Sequence, residues 1–330
     1  MSNGQIEIKR RHHYVWAQYL TRWGAGTKKV FYTTSTGKIA CDSVRSLAVD
    51  DYFYKTTKLN ALHVRVIQTI SKNSPENLQQ LHMSLLSDFL KIQDAETLYR
   101  RRGVSNQEVD QSIHALSCNT LENLHADHEK RARPILDGLA TGSLDVLQSE
   151  ENMLAFLAFF AHQVFRTKTL RDNAVRAFSR GTTQERHVAD AIEHAWWFIS
   201  YMSGINLGFS LYQDRQVSRH TLLVNDTKVP FITSDQPIVN VHECVSETEF
   251  SPPKYSDFYY PISPRVAFVV CDSERFKSGV THVDELTASE FNTKIAAQAM
   301  VHIVGDTADA IRPYRGFIGR RYLKITKLHK

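Results

Sequence analysis

Leu59, Leu62, Val66 and Ile70 recur every three or four residues. That spacing lines one face of a helix with apolar side chains. The pattern predicts a helical block of five elements, over 59–73, 74–102, 106–140, 149–178 and 182–204. Ser74 reads as a cap with Pro75 at the first helical position. Pro134 is expected to break or end the third helix. Ser149 is followed by acids in the first turn, which suits the helix dipole. Thr182 or Thr183 opens the last helix, with Glu185 placed for a capping box.

Before and after this block the period shortens. "KKVFYTT" and "KIACDSV" flank Ser35-Thr36-Gly37-Lys38, which predicts a hairpin, and "VDDYFYK" ends that unit. Past Gly208, strands are predicted in "VSRHTLLVN", "VPFITSD", "QPIVNVHE", "DFYYPISPRVAFVVCD" and "MVHIVGD", with one late helix in "TASEFNTKIAAQA". The end, "GFIGRRYLKITKLHK", reads as a closing strand. The expectation is one α+β domain over 1–330. An N-terminal strand and hairpin segment (1–56) and a β-rich segment (214–330) meet beside the helical block (57–213).

Composition changes this picture little. Apolar residues make up 42% and charged residues 23% of the 330, ordinary values for a globular chain. The net charge of +5 permits a nucleic-acid or phosphate partner without requiring one. Its surplus sits in four short clusters, Lys9–Arg11, Arg100–Arg102, Lys130–Arg133 and Arg320–Arg321, which also read as solvated faces. Cys41, Cys118, Cys244 and Cys271 form no C-x-x-C pair. With no secretory leader visible, reduced thiols and a cytoplasmic location are expected. The segment 194–213 lacks charged residues other than a histidine, but its serines and Asn206 favour a buried helix over a membrane span. No H-E-x-x-H, G-x-S-x-G, P-loop or G-x-G-x-x-G occurs. No cofactor is expected, and magnesium or manganese is left open.

Three separated segments carry candidate chemistry. Phe156, Phe159, Gln163, Arg166 and Leu170 share one helical face, so a polar pair sits on an apolar stripe. A buried arginine needs a carboxylate or carbonyls, and Asp235 is the expected carboxylate. Alternatively Arg166 faces a pocket and holds a phosphate or carboxylate. Asp235 ends an apolar strand before the Gln236-Pro237 turn. It is either an Asx-turn residue or a group aimed into a cleft. His13 follows three cations and a histidine, and is either a structural hydrogen-bond partner or a general acid or base. Trp16, Tyr19 and Trp23 are expected to be buried and Lys9 and Arg10 exposed. His125 and His128 could share a metal on a helix, but no third ligand is apparent. Gly204 and Gly208, four apart, suit close helix packing.

"HHYVWAQYLTRW", "FFAHQVFRTKTLRD", "PFITSDQPIV", "YYPISPRVAFVV" and "FNTKIAAQAMVHIVG" follow one another in an order that resembles the DUF4238 family, over nearly the whole chain. Trp16 stands where that family usually has proline. The resemblance implies a bacterial protein of unknown function. It implies that His13, Gln163, Arg166, Ser234, Asp235 and Asn292 are the positions that matter.

From the residue types, the leading expectation is a nucleic-acid hydrolase, an RNase-like nuclease of the toxin or phage-defence kind. His13 would be general acid or base, and Asp235 would orient it or bind a metal. Arg166 with Gln163 would hold the scissile phosphate. Ser234, Asn292, Arg10 and Arg11 would bind substrate, RNA or DNA. Two alternatives stand beside it. One is a non-enzymatic binding or effector-control subunit, working through a protein partner, whose polar residues lock the fold. The other is a hydrolase or transferase of a small anionic substrate.

Overall fold

The computed structural model describes residues 7–103, 105–179, 181–242 and 253–321. The chain opens with β1 (Arg11–His13), a helical turn α1 (Ala17–Leu20), β2 (Lys29–Thr33), β3 (Ile39–Ser43) and β4 (Val49–Asp51). The helical block follows: α2 (Ala61–Ser71), α3 (Glu76–Arg101), α4 (Gln107–Ala140), α5 (Glu150–Phe165), α6 (Lys168–Ser179) and α7 (Thr183–Gln213). Then come β5 (Arg219–Val224), β6 (Thr233–Ser234), β7 (Val239–Asn240), β8 (Phe258–Ser263), β9 (Val266–Cys271), β10 (Gly279–His282), α8 (Glu285–Gln298), β11 (Ile303–Gly305) and α9 (Ala308–Ile311). The fold is α+β.

Two sheets carry the architecture. A five-stranded sheet has the order β10-β5-β9-β8-β7, antiparallel except for the β10–β5 pair. A four-stranded antiparallel sheet has the order β3-β2-β11-β6, so the N-terminal hairpin is completed by strands from the far end of the chain. β1 and β4 pair separately. Side chains alternate across a strand, and both faces of the five-stranded sheet are buried. Leu222, Tyr260, Phe268 and Val270 face the helical block. Leu223, Tyr259, Ala267 and Val269 face α8. That is why β9 reads as an unbroken apolar run rather than an alternating one.

Local signals placed most helix starts. Thr182 caps α7 in a capping box with Glu185, and Ser149 caps α5. At α3 the boundary shifts by one residue, with Pro75 rather than Ser74 at the cap position. Two expectations are corrected. Pro134 does not end α4, which runs on to Ala140. Pro134 is exposed, so the Lys130 carbonyl it leaves without an amide can turn to water. The helix expected over 149–178 is instead two, divided at Arg166-Thr167. Gly204 and Gly208 let α7 close on α5: a Cβ on Gly204 would lie 2.3 Å from the His162 ring, and one on Gly208 3.5 Å from Ala158.

Tyr19 and Trp23 are buried, as expected, while Trp16 is only half-buried. Arg10 is exposed, but Lys9 is half-buried, its Nζ donating to Asn123 at 2.7 Å. Among the described residues no helix is long and apolar enough to cross a membrane. Cys41 is exposed, Cys118 and Cys271 are buried, and Cys244 lies outside the described residues. Most of the expected closing strand, 316–330, also lies outside them; its described start is the end of the 3-10 helix Arg312–Phe317 followed by a turn, not a strand.

Candidate functional site

Arg166 is the C-cap of α5, and its side chain turns back into the helical block. Each of the three guanidinium nitrogens has a partner. Nε donates to the Tyr54 hydroxyl at 3.2 Å, Nη1 to Glu129 at 2.6 Å, and Nη2 to the His13 carbonyl. The Tyr54 hydroxyl donates in turn to the Arg166 carbonyl at 2.8 Å. Burial alone would disfavour the cation, but Tyr54, Glu129 and Glu122 outweigh it and hold Arg166 charged. The salt bridge expected with Asp235 is therefore corrected. The partner carboxylate is Glu129, from α4.

Around this ion pair lies a seam of titratable groups between β1, α4, α5 and α7. Burial, reinforced by Glu129, pushes the Glu122 carboxyl up to about 7. Burial also holds Glu129 above the usual carboxylate range, although Arg166 opposes it. The His128 ring stacks on His162 at 4.4 Å, and His162 stacks on Tyr201 at 4.5 Å. His125 is fully buried, packed 4.7 Å from the Tyr54 ring, and neither of its nitrogens has a hydrogen-bond partner. His12 is buried too. It accepts from the Tyr54 amide at 2.9 Å and meets the Lys9 carbonyl at 3.0 Å. Among the described residues, no three histidine, cysteine or carboxylate side chains are placed to hold a metal ion.

The other residues singled out by sequence divide between three places. Gln163 lies one turn before Arg166 and donates to the Tyr14 carbonyl at 3.0 Å. His13 stands at the seam through its carbonyl, while its Nε2 is buried without a partner. Burial, then Arg166 and Arg11, lower its imidazole pKa, against a backbone bond with Arg45 that raises it. Asp235 sits elsewhere, at the end of β6. Its oxygens accept the Met300, Val301 and His302 amides at 2.9, 2.7 and 2.9 Å. These amides belong to the turn between α8 and β11, which has no helix or strand partner for them. Ser234 closes the adjacent turn by donating to the Gln236 carbonyl at 2.8 Å. Asn292 bridges α8 to the Ile232 amide and the Pro230 carbonyl at 2.9 and 2.8 Å. Arg10 pairs with Asp51 on the surface, and Arg11 donates to the Arg45 carbonyl at 3.0 Å.

The segments do meet, but through intermediaries. Thr167 bonds the Gln236 side chain, and the Tyr19 hydroxyl lies 2.7 Å from Thr233. Glu122, Glu129, Tyr54, His162 and Tyr201 were not among the candidates from sequence. A usable signal existed. Glu122, His125 and Glu129 recur at helical spacing with buried Leu121 and Ala132, so a charged run contained an inward face.

The seam predicts acid sensitivity. Burial holds the His12, His125, His128 and His162 pKa values below the ordinary value, His128 at about 4. In the unfolded chain they take up protons near pH 6.5, as the fold does not, so their contribution is complete above about pH 6.5 and lost as pH falls toward 4. Glu122 and Glu129 work the opposite way, because their raised values favour the fold at low pH. Four imidazoles against two carboxyls give a net loss. The melting temperature is expected to fall between about pH 7 and pH 5, and His128→Gln to shrink that fall. A flat profile that His128→Gln leaves unchanged would contradict this assignment.

An α+β protein emerges whose two β ends are tied to a helical block by buried polar side chains. The chain belongs to the DUF4238 family, described as a protein of unknown function, whose sequence model matches residues 11–309. No curated protein and no solved structure matches the chain.

Proposed function

We propose that this chain is a binding or effector-control protein in which His13, Arg166 and Asp235 brace the fold. One observation carries this reading: Arg166 and Asp235, the groups that would hold the scissile phosphate and orient the general base, are already occupied. Each of the three guanidinium nitrogens of Arg166 has a partner inside the protein, and Asp235 accepts three amides with its two oxygens. A scissile phosphate would have to displace Glu129 from a site where Arg166 is 2% exposed.

A second reading keeps hydrolysis of RNA and moves it to the seam. It is favoured by Glu122, whose carboxyl at about 7 is poised for proton transfer near neutrality, one turn from the unpartnered ring of His125. Lys9 stands beside Glu122 at the half-exposed edge.

Incubating the purified protein with total RNA, plasmid and single-stranded DNA, with and without magnesium or manganese, separates the two. The braced-fold reading expects intact nucleic acid in every arm. It also expects Asp235→Asn to lower stability by about 2–3 kcal/mol, since a buried acceptor of three amides is impaired. Cleavage that Glu122→Gln abolishes at unchanged melting temperature would establish the second reading instead. Cleavage abolished by His13→Ala in folded protein would overturn both.

A further inference from the structure

A basin of about 410 Å³, lined by none of the seam residues, lies between the β2–β3 hairpin and the 3-10 helix Arg312–Phe317. Its volume falls within the range of small-molecule sites. The floor is apolar. Phe31 and Cys41 are register partners across β2 and β3, and Ile39 lies two residues from Cys41, so all three share one face of the sheet. The walls are cationic, formed by Lys38 from the hairpin and by Arg312 and Arg315 from the far side. Arg312 has a solvent-exposed pairing with Asp309 at 3.2 Å. The Lys38 and Arg315 side chains have no hydrogen bond or ion pair among the described residues. Among the described residues, these three cations have only Asp309 as an ion-pair partner, and two guanidinium groups suit the planar, two-pronged recognition of a phosphate.

We propose that this basin binds a small organic phosphate carrying a flat apolar group, with a nucleoside monophosphate as the matching class. The phosphate sits between Arg312, Arg315 and Lys38, and the flat group lies on Phe31 and Ile39. This site is independent of the reading above, since none of its residues is part of the seam or its braces.

Cys41 supplies a built-in reporter, because its thiol is exposed and lines the basin. The experiment titrates full-length protein with adenosine 5′-monophosphate by calorimetry. In parallel, alkylation is followed at Cys41 by mass spectrometry, which separates it from the other cysteines. Binding with slowed alkylation of Cys41 is expected, weakened by added salt. Arg315→Ala and Lys38→Ala should each weaken binding about tenfold or more. Both residues are exposed, so the melting temperature should stay the same. Adenosine without phosphate should bind at least tenfold more weakly, and ribose 5-phosphate should fall between the two. The absence of binding at millimolar nucleotide would overturn the proposal. So would adenosine binding as tightly as its phosphate, or an affinity unmoved by both substitutions.

Discussion

Removing residues 1–20 is expected to leave an insoluble protein. Tyr14, Val15, Tyr19 and Leu20 are each at most 8% exposed and belong to the main core. At about 1.5–3 kcal/mol for each side chain, their loss removes roughly 6–12 kcal/mol, which is comparable to the whole stability of a typical domain. The polar loss adds to this. Arg166 and Gln163 would lose the His13 and Tyr14 carbonyls, and the buried Tyr54 amide would lose His12. The Tyr19 hydroxyl, which bonds both Thr233 and the Pro261 carbonyl, ties this segment to the C-terminal β region. Soluble yield and a circular-dichroism melt of the truncated chain check the expectation. A soluble truncation with a cooperative melt would make the N-terminal segment an appendage.

Much of the fold was legible because its cues are local. The hairpin turn, the Thr182 capping box and the apolar runs of β8 and β9 sit within a few residues of the structure they specify. The misses have tertiary causes. No proline or glycine marks the end of α5. The chain breaks there because the Tyr54 hydroxyl takes the Arg166 carbonyl and Thr167 bonds Gln236. Pro134 erred in the other direction, since an exposed helix face tolerates a lost amide that a buried one would not. β10 was missed because its four residues are only half-covered and pair in parallel with β5, with nothing local to announce them.

The candidate site shows the same limit. That Arg166 is buried followed from the apolar stripe it interrupts. That its partner is Glu129 did not follow, because Glu129 lies 37 residues away, in a run of charges that reads as solvated. Asp235 was legible as important but not as an acceptor of three amides, because those amides come from a turn 65–67 residues later. Sequence picked out polar residues that the fold cannot do without. It could not tell a brace from a reactive group, since both call for the same side-chain types.

Replacing Arg166 by alanine is expected to cost about 3–5 kcal/mol. The substitution leaves Glu129, whose side chain is 14% exposed, without its counter-charge. It also strips a donor from the Tyr54 hydroxyl and from the His13 carbonyl. Lysine should restore little, because one ammonium cannot reach a carboxylate, a hydroxyl and a carbonyl as a planar guanidinium does. A double-mutant cycle identifies the cause. Arg166→Met and Glu129→Leu should each be strongly destabilising, because each leaves one buried charge alone. Together they should lose less than the sum of the two, by about 1–3 kcal/mol, because a buried ion pair can be exchanged for apolar packing far more cheaply than it can be halved. Denaturant unfolding of the four proteins gives the coupling directly. Additive losses would show that Arg166 and Glu129 do not act as a pair. A loss near zero for Arg166→Ala would contradict its burial and remove the central brace from this description of the fold.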